Sequence, residues 1–263
     1  VDFVRTYKRT KRLKLPAEDF EPEEDVTTYP EYVGQIYRRF AAANGKRLAG
    51  EKTPDYVKCI DMLHSLFPKA KFLHIIRDGR EVVQSILEWS NDRKGPAKMP
   101  IWHENPFAVA CLWWADQVRR GITAGRKLGG LYMEVHYRDL TSDPGTQLSR
   151  IARFLDLPDS EAMFAFHEGK EIDNPKLSAK SAWRPVMTGL RDARALDPKH
   201  LLLFDVLCGD VLEELRLPRS STPPDPKVLG EAVRIRDLWE ARSQTPSRAD
   251  RQRLVKALSV GRG

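Results

Sequence analysis

"KFLHIIRDGREVVQSILEW", residues 71–89, holds three patterns in succession. Phe72 to Ile76 is a short apolar run, β-branched at its end, and reads as a buried parallel strand. Arg77-Asp78-Gly79-Arg80 follows as a charged turn. Val82, Val83, Ile86 and Leu87 then recur at helical spacing, with Asp78 placed as N-cap and Glu81 three residues on, as in a capping box. In an open parallel sheet, ligands gather beyond the carboxyl ends of the strands. Arg77 stands at that end, where the new helix turns its free amides and positive dipole toward the same crevice. Ser85 is placed to add a hydroxyl. A guanidinium fork, a hydroxyl and helix-end amides suit a phosphate monoester. The competing reading pairs Arg77 with Asp78 or a nearby Glu and leaves Ser85 on the helix surface. The stretch alone keeps both open.

The rest of the chain places this unit in an α/β fold. Tyr32, Val33, Ile36, Tyr37 and Phe40 form the stripe of an amphipathic helix that Asn44-Gly45 ends. "LAGEKTPDYV" (48–57) is a loop, and a helix from about Val57 to Leu66 leads to the strand. Downstream, a loop with Trp102 and His103 precedes a long helix from Phe107 to Leu128, and "LYMEVHYRDL" (131–140) reads as a second buried strand. "DPGTQLSRIARFLDLP" (143–158) is a further helix. Strand, helix, helix, strand, helix indicates a parallel sheet with helical crossovers. Residues 1–31 read as a polar surface excursion with little core of its own, and 168–192 as irregular. Pro198 to Leu215 is helical, and 219–263 reads as a basic helical appendage on a domain spanning 1–218.

The 263 residues are 41% apolar, with 44 Lys and Arg against 37 acids, a formal charge of +7 and a pI near 9.3. That balance favours an anionic partner, or simply a solvated basic surface. Cys59, Cys111 and Cys208 lie far apart with no CxxC, so neither a disulfide framework nor a zinc site is expected. No apolar run reaches the roughly 20 residues of a membrane span, and there is no secretory h-region. A reducing, cytoplasmic setting is the expectation.

Taken together, "GEKTPDYV", "KFLHIIRDGREVVQSI" and "YRDLTSDP" resemble the sulfotransferases that use 3′-phosphoadenosine-5′-phosphosulfate (PAPS). The similarity is to the bacterial branch related to tyrosylprotein sulfotransferases, and it runs from about residue 45 to 215. It implies a P-loop-NTPase-like parallel sheet flanked by helices. It also implies that Arg77 and Ser85 bind the 3′-phosphate of PAPS, that Lys52 contacts the phosphosulfate as the catalytic lysine, and that Tyr137 lies close to the nucleotide. Arg191 falls where relatives carry a Lys or Arg ahead of a Trp, although Asp192 stands in the Trp position here. Ser178 lies near a serine that assists the sulfate in some relatives. Sulfuryl transfer is an in-line displacement, and a Lys ammonium aimed at the leaving oxygen stabilises the transition state more than the ground state. The scheme requires no metal.

One family element is not in the sequence. The phosphate-binding loop of the type P-R-S-G-T-[TS] does not occur, and neither does G-x-x-x-x-G-K-[ST]. In relatives that loop precedes "EKTP", so the expectation is an N-terminally truncated sulfotransferase; a natural relative with a degraded cofactor site is the other reading. The catalytic base follows that loop in relatives, and none is named here. Glu18, Glu21, Glu23 and Glu24 read as a solvated acidic patch, His136 as a packed core histidine, and His103 and His167 as alternatives. Two rivals remain. A P-loop nucleotide phosphotransferase would need a Walker loop and an acidic magnesium ligand, and neither is seen. A non-catalytic basic protein would bind nucleotide or polyanion through 5–14 and 227–256. Those segments carry few interleaved aromatics, Trp239 being one, so a nucleic-acid partner is not expected. The loop from Asn91 to Asn105 and the segment from Glu168 to Arg191 are expected to line the acceptor site. The acceptor itself, small molecule, carbohydrate or peptide, stays open, as does the oligomeric state.

Overall fold

A computed structural model describes residues 13–91, 99–159, 161–165, 168 and 196–243. The chain divides into two units, residues 1–70 and 71–263.

In the first unit, helix α1 (Tyr29–Ala43) starts three residues before the apolar stripe does, because Thr28 caps it. The Thr28 hydroxyl accepts from the Glu31 amide, and Glu31 Oε2 takes the Thr28 amide at 2.9 Å. That reciprocal pairing satisfies two helix-end donors. The segment before α1 is more than a surface excursion. Phe20 packs on Tyr32 and Ile36, flanked by Leu13, Leu15 and Val26. The Tyr32 hydroxyl donates to the Phe20 carbonyl at 2.8 Å, and buried Gln35 donates to the Glu21 carbonyl at 2.7 Å. Of the four acids there, Glu23 pairs with Arg39 at 3.0 Å. The helix expected over 57–66 is split. A 3-10 turn covers Pro54–Lys58, and Cys59, at φ −141°, separates it from α2 (Ile60–Leu66).

The second unit holds the sheet. Strands β1 (Phe72–Ile76) and β2 (Tyr132–His136) run parallel, with Phe72 opposite Tyr132 and Ile76 opposite His136. They are joined through α3 (Gly79–Asn91) and α4 (Pro106–Gly125), and β2 passes directly into α5 (Tyr137–Ser142) and α6 (Pro144–Phe154). The class is the α/β arrangement expected, with two strands among the described residues. Burial in β1 alternates: Ile76 is buried, whereas Leu73 and Ile75 are 37% and 55% exposed. The strand is therefore not covered on both faces, as the apolar run had suggested.

Helix α4 is buried nearly all round over its first half, from Phe107 to Leu112. It packs on α3, α7 (Pro198–Glu214) and α8 (Pro226–Ser243). A helix apolar on every side belongs at the centre of a core. The expected appendage after residue 219 contributes to that core as well. Val228, Ala232 and Ile235 of α8 are buried in the same cluster as Phe107, Phe204 and Leu212. Residues 244–263 lie outside the described residues. No helix among the described residues is long and apolar enough to cross a membrane.

Candidate functional site at the end of strand β1

Arg77 leaves β1 at its carboxyl end and is held from two sides. Its Nε and Nη2 both donate to Glu81 Oε2 at 2.7 Å, and its guanidinium lies 5.0 Å from the centroid of the Tyr137 ring. The Arg77 side chain is 34% exposed, while that of Glu81 is 8% exposed. Two residues predicted from separate stretches, Arg77 and Tyr137, are thus brought into contact across the ends of neighbouring parallel strands. The Arg77–Glu81 ion pair, the competing reading of the sequence, is present too. Nη1 has no acceptor among the described residues, so the fork keeps an edge for a ligand.

Three details of the turn differ from expectation. Glu81 does not close a capping box: its carboxylate goes to Arg77, while Asp78 caps the helix alone, Oδ1 accepting from the Arg80 amide at 2.9 Å. The Asp78 carbonyl takes the amides of Glu81 and Val82, so these helix-end donors are already occupied. Ser85 is exposed on α3, and no hydrogen bond to Arg77 is seen among the described residues. The anion-binding capacity visible at this turn rests on the guanidinium.

The turn is fastened from behind. The Trp114 indole Nε1 donates to the Arg77 carbonyl at 3.2 Å. Gly79 is demanded by packing rather than by a positive φ: a methyl there would stand 2.4 Å from Trp114 Cδ2 and 2.7 Å from Phe204 Cζ. Arg80, 5% exposed, donates through Nη1 to Asp78 Oδ2 and through Nη2 to Asp205 Oδ1, each at 3.2 Å, and also to the Pro218 carbonyl. Sequence reasoning missed Trp114, Arg80 and Asp205, whose contacts span 37 and 125 positions. One signal was legible: Asp205 is a lone acid inside the apolar run "LLLFDVLCG" (201–209), where an unpaired carboxylate is not tolerated.

Lys52 belongs to the first unit and is exposed, with no ion pair among the described residues. Its neighbour Glu51 organises the loop. Glu51 accepts from the hydroxyls of Thr53 (2.8 Å), Tyr37 (3.3 Å) and Tyr56. Burial first, and Glu51 second, push the Tyr56 phenol up to about 12; the same two causes raise Tyr37. His103 is exposed beside Glu104, and His136, expected as a packed core histidine, is half-buried where β2 ends. Arg191, Ser178 and His167 lie outside the described residues.

Fold and turn together define a parallel α/β protein with a fixed arginine at the carboxyl end of a strand. Residues 4–161 match the Sulfotransferase family, and the chain belongs to that family. Protein-tyrosine sulfotransferase A of Caenorhabditis elegans is 29% identical over 140 residues, 51% of this chain and 35% of the relative. The nodulation protein NoeE of Sinorhizobium fredii is 31% identical over 135 residues, 49% of this chain and 30% of the relative. The chain spans less than half the length of the curated relatives it matches. A solved sulfotransferase domain from the curacin biosynthetic pathway aligns with 78% of this chain and 67% of its own, at 20% identity and a TM-score of 0.45. Family membership rests on the first of these findings.

Proposed function

We propose that this chain serves sulfuryl transfer from PAPS to an acceptor hydroxyl or amine, with Arg77 holding the 3′-phosphate of the donor. The observation that carries the proposal is Arg77 itself. A half-buried guanidinium at a strand end, fixed by Glu81 and the Tyr137 ring, keeps its Nη1 edge for an anion. A pre-positioned fork loses little freedom on binding, which is where affinity for a phosphate is gained. Tyr137 offers an aromatic face beside the guanidinium, suited to a nucleotide. Ser85 is exposed on α3 and Lys52 in its own loop; both keep the roles that family resemblance gives them, 3′-phosphate and phosphosulfate contact, as does Arg191. Family membership supports the reaction class. The relative named for protein tyrosine favours a phenolic or other hydroxyl acceptor on a peptide or small molecule.

The test is calorimetric binding of adenosine 3′,5′-bisphosphate and of adenosine 5′-monophosphate to the chain and to Arg77→Ala. The bisphosphate should bind more tightly, and Arg77→Ala should remove about 1.5–3 kcal/mol of that preference, the range of a hydrogen bond to a charged group. Equal binding of the two nucleotides by the unaltered chain would show that there is no 3′-phosphate pocket.

A further inference from the structure

We infer that Arg80 and Asp205 form a buried strut that positions Arg77 for the 3′-phosphate, an inference that rests on the function proposed above. Arg80 and Asp205 are each about 5% exposed, and their side chains meet at 3.2 Å. Arg80 spends one Nη on Asp78, the N-cap of the turn, and the other on Asp205 of α7 and on the Pro218 carbonyl. Asp205 Oδ2 in turn accepts from the Ser220 amide at 2.6 Å. The guanidinium lies 5.4 Å from the centroid of Phe204, the ring that also packs on Gly79. One residue thus ties the cap of α3, the flank of α7 and the chain after α7 into one rigid corner, three residues from Arg77.

Stability does not account for this corner. Taking two charges out of water costs several kcal/mol per ion, and apolar residues of similar volume replace such pairs neutrally or better. The pair here is also incompletely satisfied, since Arg80 Nε is buried without an acceptor among the described residues. What the pair supplies is direction. The Asp78 side chain is held at both oxygens, by the Arg80 amide and by Arg80 Nη1, and this fixes the first turn of α3. Arg77 and Glu81 flank that turn, so its orientation sets where the Nη1 edge of Arg77 points. Asp205, Pro218 and Ser220 all lie beyond the family match, which ends at residue 161. The anion turn is therefore completed by residues outside the matched region.

The experiment compares Arg80→Lys, the double variant Arg80→Met/Asp205→Leu and Arg77→Ala with the unaltered chain. Calorimetry gives the ratio of affinities for adenosine 3′,5′-bisphosphate over adenosine 5′-monophosphate, and thermal melts report folding. Lysine keeps the charge but cannot hold Asp78, Asp205 and the Pro218 carbonyl together, so it should not rescue. The ratio should fall about tenfold or more in both Arg80 variants, a usual result of a supporting residue's loss. Affinity for the monophosphate should stay within about twofold, since it lacks the 3′-phosphate that Arg77 is proposed to hold. A variant that melts with the wild type and keeps the wild-type ratio overturns the strut. Parallel weakening of both nucleotides overturns it too, because that marks a structural role alone, as does failure of both Arg80 variants to fold. If Arg77→Ala leaves the ratio unchanged, the underlying functional reading fails, whatever Arg80 does.

Discussion

Gly79 shows how a single position in the anion turn is set by distant packing. Its backbone needs no left-handed conformation; a Cβ would drive into Trp114 and Phe204. Gly79→Ala is expected to destabilise the chain by about 1–3 kcal/mol, the range for overpacking a filled core. The displaced indole would also release its hydrogen bond to the Arg77 carbonyl. Urea unfolding measures the first effect, and tryptophan fluorescence the second. An alanine variant as stable as the wild type would mean the indole relaxes without cost. At this scale the sequence was partly legible. Arg77 and Glu81, four apart across the start of α3, announce their ion pair, and a lone acid at 205 announces a buried partner. Family resemblance placed Tyr137 only near the nucleotide; its ring over Arg77 was not read from the sequence. Trp114 and Phe204 carried no local signal, because an apolar helix hides which of its rings faces a turn elsewhere in the chain.

Among the elements, the two strands are joined by a polar side-chain contact. His74 Nδ1 and the Tyr132 hydroxyl hydrogen-bond at 2.7 Å, beside Gly121, where a Cβ would lie 2.4 Å from the imidazole. Burial lowers the His74 pKa to about 4, Glu134 working against the shift and His136 adding to it. The unfolded chain takes up a proton near 6.5, the folded chain only near 4. Stability from this site is therefore complete above about pH 6.5 and declines as the pH falls toward 4. At 1.36 kcal/mol per pKa unit the loss approaches about 3 kcal/mol. Denaturant titrations at pH 7, 6 and 5 should show a shallower decline for His74→Gln than for the wild type. Parallel declines would assign the acid sensitivity to other groups. Strand β1 was predicted with its observed boundaries, since a short apolar run between charges admits little else. Its one-sided burial was not, because the one polar residue of the run, His74, lies on the more buried side with Phe72 and Ile76, so no polar-outward alternation could be read. The start of α1 was misplaced because the reading weighed apolar periodicity over the Thr28–Glu31 cap. Thr28→Ala should cost about 1 kcal/mol in the first unit, measurable as a lower denaturation midpoint. An unchanged midpoint would make that cap dispensable.

For the whole molecule, the largest revision concerns the segment after residue 219. Its basic composition and Pro-rich approach suggested a solvated tail, and both features are real, but they describe only the outer surface of α8. The inner surface carries Val228, Ala232 and Ile235 at helical spacing, and all three are buried in the main cluster of the second unit. Charge counted over a whole segment conceals such a stripe, because a helix needs apolar residues on one side only. Ile235, fully buried, is where the difference can be measured. Were α8 a loose appendage, Ile235→Ala would change stability by no more than about 0.5 kcal/mol, as exposed substitutions do. As part of the core it should cost about 2–5 kcal/mol, because truncating a buried isoleucine loses transfer energy and leaves a cavity. The loss should also spread beyond α8. Helix α8 contacts both α4 and α7, so opening it exposes the apolar helices that hold Trp114 and Phe204 behind the anion turn. Hydrogen exchange of the α3 and α4 amides should accelerate in Ile235→Ala along with that of α8. Faster exchange confined to residues 226–243 would make α8 an independently opening element and return it to the role of an appendage.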